Sequence, residues 1–480
     1  MSLQQVSRRE FLRLSAVSAA ALLAACAPSA GPAAPAAPAA PAEGEAAAPA
    51  KAAGKVLLKY QSREPEMAGG VLQLWNTFYP KFQEEHPDIE VEFLPYAAGG
   101  DFTETVMAQM VAGNAPDVTE MCCWESTYFV QKKQTLNLQP LIDRDAEEVN
   151  MDDYYEHQFD PWKDEEGNIH LMPRFTGTQV IYFNKDWFDK KGIPYPPQEW
   201  GGWTFDQYLE IGRQFVSRET PPTFGTSNYG LTANWLTQYW LRGWGAHMVD
   251  PNDNTHCPLD AKEAQECLEV IRKMIWDDHA FAIGAEMGGM GCEQLFIGER
   301  IAMLEMGPWN LGPIAEGARF KWDVAPMPDG PAGHTTHQSV DGSFIWIKTP
   351  YPEQSWTLLK GLTSPWYGEL YAQFAAKQPS RKSVLPKFAE LLRKQNPIFE
   401  NIKLEVFMDA TYKNIGMPEE MFKEDKTSKS DILQPVFDVV MTLGKGPVTL
   451  IAQAAEVVTQ FNRGEIKIED IGAKVQAITG

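Results

Sequence analysis

The chain has 480 residues, with 42 basic against 64 acidic side chains and a formal net charge of -22. Its composition, 44% hydrophobic and 22% charged, is that of a globular protein with a substantial core rather than a disordered one. Such acidity excludes a nucleic-acid binder, which needs a basic patch, and a polybasic membrane surface.

The N-terminus reads as an export signal. Arg8 and Arg9 precede an uncharged, Ala- and Leu-rich stretch at 14–25. A permanent membrane span needs about 20 apolar residues, so this shorter stretch fits the hydrophobic region of a signal peptide. The arginine pair resembles a twin-arginine signal; an ordinary secretory signal that happens to carry Arg-Arg is the alternative. The run Leu23-Ala24-Ala25-Cys26 reads as a lipobox, with Cys26 as the lipidated residue and the lipid as the only membrane attachment. The expected layout is a twin-arginine lipoprotein signal peptide at 1–25, then the lipidated cysteine and an Ala/Pro-rich tether at 26–54. Five cysteines remain (Cys122, Cys123, Cys257, Cys267 and Cys292), an odd number with no zinc spacing. One or two disulfides, Cys257–Cys267 among them, and buried free thiols are both open.

The folded part begins with a short apolar strand at 56–60 and a polar turn at 61–65. A helix follows at 71–85, with Leu72, Trp75, Phe78, Tyr79 and Phe82 at near-helical spacing. Residues 89–93 alternate as a strand, 102–112 form a helix stopped by Gly113, and 117–121 begin the next strand. Strands are further expected at 167–173, 178–184, 301–304 and 342–348. Helices are expected at 203–216, at 261–277 with Asp260 as its cap, and at 454–461. Strands alternating with helices predict βαβ units and a mainly parallel sheet.

Several blocks then occur in a recognisable order: "FQEEHPDIEVEF" at 82–93, "AGNAPDV" at 112–118, "YFNKDWF" at 182–188, Pro196-Pro197 to Trp200, and "FIGERIAMLEMGPWN" at 296–310. "VAPMPDGPAG", "SVDGSFIWI" and "QPSRKSV" follow. From about residue 55 onward the chain resembles extracellular solute-binding protein family 1, the maltose-binding-protein-like sugar receptors of ABC importers. The resemblance implies an α/β, two-lobed periplasmic-binding-protein type II fold with a hinge and an interlobe ligand cleft. By analogy, lobe 1 is 55–172 plus 343–378 and lobe 2 is 173–342 plus 379–480. It implies an extracytoplasmic receptor, not an enzyme, with no cofactor and no metal. That receptor is a monomer that delivers a carbohydrate, oligosaccharide included, to permease subunits driven by ATPases.

Sugars present C–H faces that stack on aromatic rings and hydroxyl rims that bond to charged side chains. The candidate ligand-binding residues are therefore Trp309, matching a stacking position of the family, with Trp235 and Trp240, and Glu125 beside Trp124, matching an acidic hydroxyl ligand. The charged residues Arg63, Arg174, Asp341 and Arg381 complete the set. Core tryptophans and surface ion pairs are the plain alternatives. A glycoside hydrolase needs two carboxylates flanking one bond, about 5–10 Å apart, and no motif points to such a pair. His334 and His337 offer two metal ligands without a third at a known spacing. A structural or adhesive surface protein is a further class, and a receptor for a peptide, polyamine or phosphodiester another: strong acidity in the cleft would favour a cation, and convergence of Arg63, Arg174 and Arg381 an anion or sugar acid.

Overall fold

The strand expected at 56–60 continues to Pro65. In the computed structural model, which describes residues 55–65, 69–96, 102–229, 233 and 235–480, β1 (Val56–Pro65) pairs in parallel with β2 (Ile89–Tyr96) from Val56–Ile89 to Pro65–Tyr96. The expected turn at 61–65 is thus strand. Its irregular register after Gln61 is bridged by the Gln61 amide, which donates to Leu94 O at 3.0 Å. The expected signal peptide, Cys26 and tether lie outside the described residues.

Between β1 and β2 runs α1 (Gly69–Glu85), whose Leu74, Trp75, Phe78 and Phe82 bury one stripe against Leu58 and Tyr60 of β1. After α2 (Phe102–Ala112), Gly113 takes φ +75°, the left-handed conformation that ends the helix. β3 (Val118–Cys122) then joins β1 in parallel, and α3 (Cys123–Gln131) follows it at once.

The chain next changes sheet. β4 (Leu171–Thr178) belongs to the first sheet, and after Gln179 alone β5 (Val180–Asn184) is the centre of a second. Later elements include α4 (Phe205–Gln214), α5 (Trp235–Gly243), α6 (Lys262–Trp276), β6 (Met303–Met306), β7 (Trp322–Ala325), β8 (Thr336–Ile345), α7 (Glu405–Tyr412), the two-residue β9 (Gly416–Met417) and α8 (Thr449–Asn462).

The sheets correct the expectation of a mainly parallel architecture. The first has the order β2-β1-β3-β8-β4, with β8 antiparallel to both neighbours; the second, β6-β5-β7, is wholly antiparallel. The cause is connectivity. β4 leaves the first sheet for the second and β8 returns, so the two run in opposite directions.

Each sheet is covered on both sides. Alternation along β5 sends Ile181 and Phe183 into one core and Val180 and Tyr182 into the other, all at most 1% exposed. Between the sheets the packing turns polar. Gln338 donates to Thr176 Oγ1 at 2.8 Å, Gln378 to Thr411 Oγ1 at 3.0 Å, and Thr336 Oγ1 to Gln179 O at 2.7 Å, all buried. The lobe boundaries expected at 172/173 and 342/343 fall inside β4 and β8.

Two smaller expectations are corrected. Ala261, not Asp260, stands at the cap of α6, with no side-chain capping bond. Cys257 and Cys267 are not paired: with Cys292 they are buried free thiols. Both sit in the apolar core around α6, where burial pushes their thiol pKa values up.

Candidate functional site

A cavity of about 280 Å³ opens between elements packed on the first sheet and elements packed on the second. From the first side come Thr103 of α2 and Glu125, Tyr128 and Gln131 of α3. From the other come Ala233, Glu419, Asp425, Lys426, Lys429 and Gln434. The last three belong to or adjoin a helical run, Thr427–Leu433 then Gln434–Phe437, whose Ile432, Leu433, Val436 and Phe437 bury into the core beneath the second sheet.

Local folding places these groups. Glu125 lies in the first turn of α3, where the helix N-terminus favours a carboxylate. Tyr128 follows one turn later on the same face. Arg63 lies near the carboxyl end of β1, the end of a parallel strand at which open α/β sheets place ligands. Its Nε bonds Glu125 Oε2 at 3.0 Å, with the Arg63 side chain about a third exposed (35%) and Glu125 nearly covered. Burial opposes the Arg63 charge, but Cys122, Glu125 and Asp341 more than offset it, so its pKa is raised. Asp341 is there because β8 sets it directly opposite Cys122 in the antiparallel register.

Trp309 follows β6, again at a strand's carboxyl end. Its ring is half-buried and packs against both the core around Leu304 and the core around Phe175, which it meets edge-on at 6.3 Å. The sequence "GPWN" makes this possible: a Cβ on Gly307 would collide with the ring. Tyr229 adjoins it, exposed, its hydroxyl bonding Asn310 Oδ1 at 3.4 Å and its ring within electrostatic reach of Arg63. Trp309, Tyr229, Arg63 and Glu125 are therefore linked in series, and of these Glu125 lines the cavity.

Three candidates are placed elsewhere. Arg174 is buried inside the first half: it pairs with Glu120, donates to Tyr371 Oη at 2.8 Å, and lies 4.4 Å over that ring. Arg381 is equally buried. Its Nε donates to Thr363 O at 2.6 Å and its Nη1 pairs with Asp153 at 3.2 Å, over the Tyr154 ring. Trp240 is 2% exposed, edge-on to Phe205 at 4.3 Å in the core of the second half. The conditional convergence of Arg63, Arg174 and Arg381 does not occur. Trp124 and Trp235 stand in α3 and α5, and their side chains lie outside the described residues.

Sequence reasoning missed Tyr128, Tyr229 and the Glu419–Asp425–Lys429 cluster. A helical projection from Glu125 finds Tyr128, and the i,i+4 spacing of Asp425 and Lys429 is readable. Their meeting with Glu419, Glu125 and Tyr128 is a product of tertiary folding. Among the described residues, no group of three or more His, Cys, Asp or Glu is placed to hold a metal ion, and no helix is long and apolar enough to cross a membrane.

Two sheets exchanging strands, with a cavity between the halves, define a two-lobed periplasmic-binding-protein type II fold. The chain belongs to the bacterial extracellular solute-binding protein family, whose model matches residues 66–368. A curated relative, the arabinooligosaccharide-binding protein of Halalkalibacterium halodurans, is 25% identical over 213 residues, 44% of either chain; this chain thus spans less than half the length of that relative. Among solved structures, the ABC substrate-binding protein Lmo0181 of Listeria monocytogenes in complex with cycloalternan superposes with a TM-score of 0.72 at 18% identity, covering 86% of this chain and 99% of that one. Maltose-bound MalE3 of T. maritima gives 0.66 at 20% identity, covering 86% and 100%.

Proposed function

We propose that this protein is the extracytoplasmic solute receptor of an ABC importer and that its solute is a carbohydrate, an oligosaccharide by preference. The observation that carries the reading is the cavity between the halves, with acceptor-rich carboxylates in its walls, one of which, Glu125, is linked through Arg63 to the Tyr229 and Trp309 rings. Carboxylates take hydroxyl donors and rings take C–H faces. The sugars of its relatives, arabinooligosaccharide, cycloalternan and maltose, agree with this chemistry.

The mechanism is differential binding. Ligand touching both walls favours the closed arrangement, because only that arrangement supplies both sets of contacts. The lobes proposed are 55–172 plus 343–378 and 173–342 plus 379–480, moving about the polar seam between the sheets. The receptor works as a monomer without cofactor, is exported by its twin-arginine signal, is anchored through Cys26, and hands its solute to permease subunits driven by ATPases.

The test is a thermal-shift screen of the full chain against neutral oligosaccharides, sugar acids, peptides and polyamines. Ligand at 100 times its Kd adds about 2.7 kcal/mol to the native state. A saturable shift with a sugar recovered at unchanged mass supports the receptor. Cleavage of the sugar would make the protein a hydrolase, and a shift with peptides or polyamines alone would move the solute class.

A further inference from the structure

The C-terminal wall of the cavity holds two carboxylates against one cation. Lys429 Nζ bonds Glu419 Oε1 at 2.7 Å and Asp425 Oδ1 at 3.0 Å, and donates to the backbone oxygen of Glu420 at 2.8 Å. All three side chains are at most 9% exposed. Glu419 lines the cavity, and its second oxygen, Oε2, is buried without a hydrogen-bond partner. The other lysine in this wall, Lys426, is turned to the opposite one, pairing with Glu104 at 3.4 Å and standing 5.3 Å from the Tyr128 ring.

A buried carboxylate oxygen without a donor is unfavourable and calls for one. The cation beside it is shared between two carboxylates, and Arg242, which also acts on Glu419, is taken up by Glu420 at 3.2 Å, so an incoming anion still meets excess negative charge in a poorly solvated place. A hydroxyl or an ammonium supplies the missing donor and leaves the Lys429 contacts intact. We propose that Glu419, Asp425 and Lys429 form a recognition subsite for a hydrogen-bond-donating, non-anionic part of the ligand, so that the protein takes neutral or amino sugars and rejects uronic acids. Glu419 accepts from the ligand, Asp425 adds to the negative field, and Lys429 is a positioning residue that holds both carboxylates. This rests on the carbohydrate reading above, which it deepens by naming the charge class.

The experiment is calorimetric titration of the full chain at pH 8, above the value of about 7 to which burial lifts Glu419, with four trisaccharides: maltotriose, arabinotriose, the glucosamine trimer and the galacturonic acid trimer. The expected result is that the best neutral or amino trimer binds about tenfold or more tighter than the uronate. Glu419→Gln and Asp425→Asn weaken that best ligand and narrow its margin over the uronate, without either variant losing its cooperative melt. Uronate binding by the wild type at equal or greater strength overturns the proposal without any variant, and leaves the carbohydrate reading standing. An unchanged margin in both folded variants also overturns it. If no sugar of any charge binds while peptides or polyamines do, the carbohydrate reading fails and the subsite assignment fails with it.

Discussion

Arg63 and Glu125, separated by 62 positions in the chain, meet with Nε and Oε2 3.0 Å apart, one near the end of β1 and the other in the first turn of α3. The pair joins Tyr229 to the cavity wall, so each partner fixes the other's orientation there. Because Arg63 remains a third exposed, the pair contributes modestly to folding. Glu125→Gln should therefore lower affinity by about tenfold, the scale of one lost hydrogen bond to a charged group, while the melting temperature moves little. A calorimetric Kd within twofold or so of the wild type would remove Glu125 from the ligand site.

Arg174 should behave in the opposite way. Its guanidinium is buried with Glu120 and the hydroxyls of Tyr60, Tyr367 and Tyr371. Taking one partner from a buried ion pair costs about 3–5 kcal/mol, since the remaining charge is left uncompensated. Arg174→Leu is expected to lower the urea midpoint strongly, with ligand affinity of the remaining folded fraction nearly unchanged. A stable variant that has lost binding would return Arg174 to the list of ligand contacts.

These two arginines mark the limit of what the chain alone reveals. Each follows a strand expected from the sequence, at 56–60 and 167–173, and both are charged, so local pattern ranks them equally. Only the register of β8 and the packing of the helix Pro365–Ala375 over the first sheet decide that one faces solvent and the other a ring of tyrosines. Elements with a local cause were legible. The helix Phe102–Ala112, bounded by its apolar face and Gly113, lies where the spacing predicts it. Strand direction was not legible, because the antiparallel pairing of β8 follows from the chain returning between sheets. The wall formed by Glu419, Asp425 and Lys429 has no export-like or family-like signature, and depends on a helical run near the C-terminus crossing to face α3.

The buried carboxylates give stability a defined pH dependence. Burial raises Glu305, which accepts from Tyr208 Oη at 2.6 Å and Asn228 Nδ2 at 2.8 Å, above its ordinary 4.5. Burial likewise pushes Glu419 up to about 7, despite Lys429. A carboxyl with a raised native pKa holds its proton longer when folded than when unfolded, so its contribution is complete below about 4.5 and is lost as pH climbs through the native value. The melting temperature should fall between pH 5 and about 7.5, and Glu419→Gln should flatten that slope. Differential scanning calorimetry across this window checks it; an identical slope in the variant would show that Glu419 is ionised throughout.

Trp309 has a packing role beside its proposed ligand role, and Gly307 separates the two experimentally. The ring touches two cores, so Trp309→Ala must cost stability, a fraction of the 3–5 kcal/mol or so of a fully buried ring because it is only half covered. Gly307 has an ordinary extended backbone, φ -94°, so alanine is tolerable there except for its collision with the Trp309 ring. Gly307→Ala should therefore displace the indole without removing it. If Trp309 stacks on sugar, Gly307→Ala and Trp309→Ala should both weaken binding by about tenfold or more, whereas Trp309→Phe, which keeps an aromatic face, should lose less. Tryptophan fluorescence titrated with the sugar found by the thermal screen reads all three variants. Full affinity in Gly307→Ala, with a shifted emission maximum proving that the ring has moved, would assign Trp309 to packing alone.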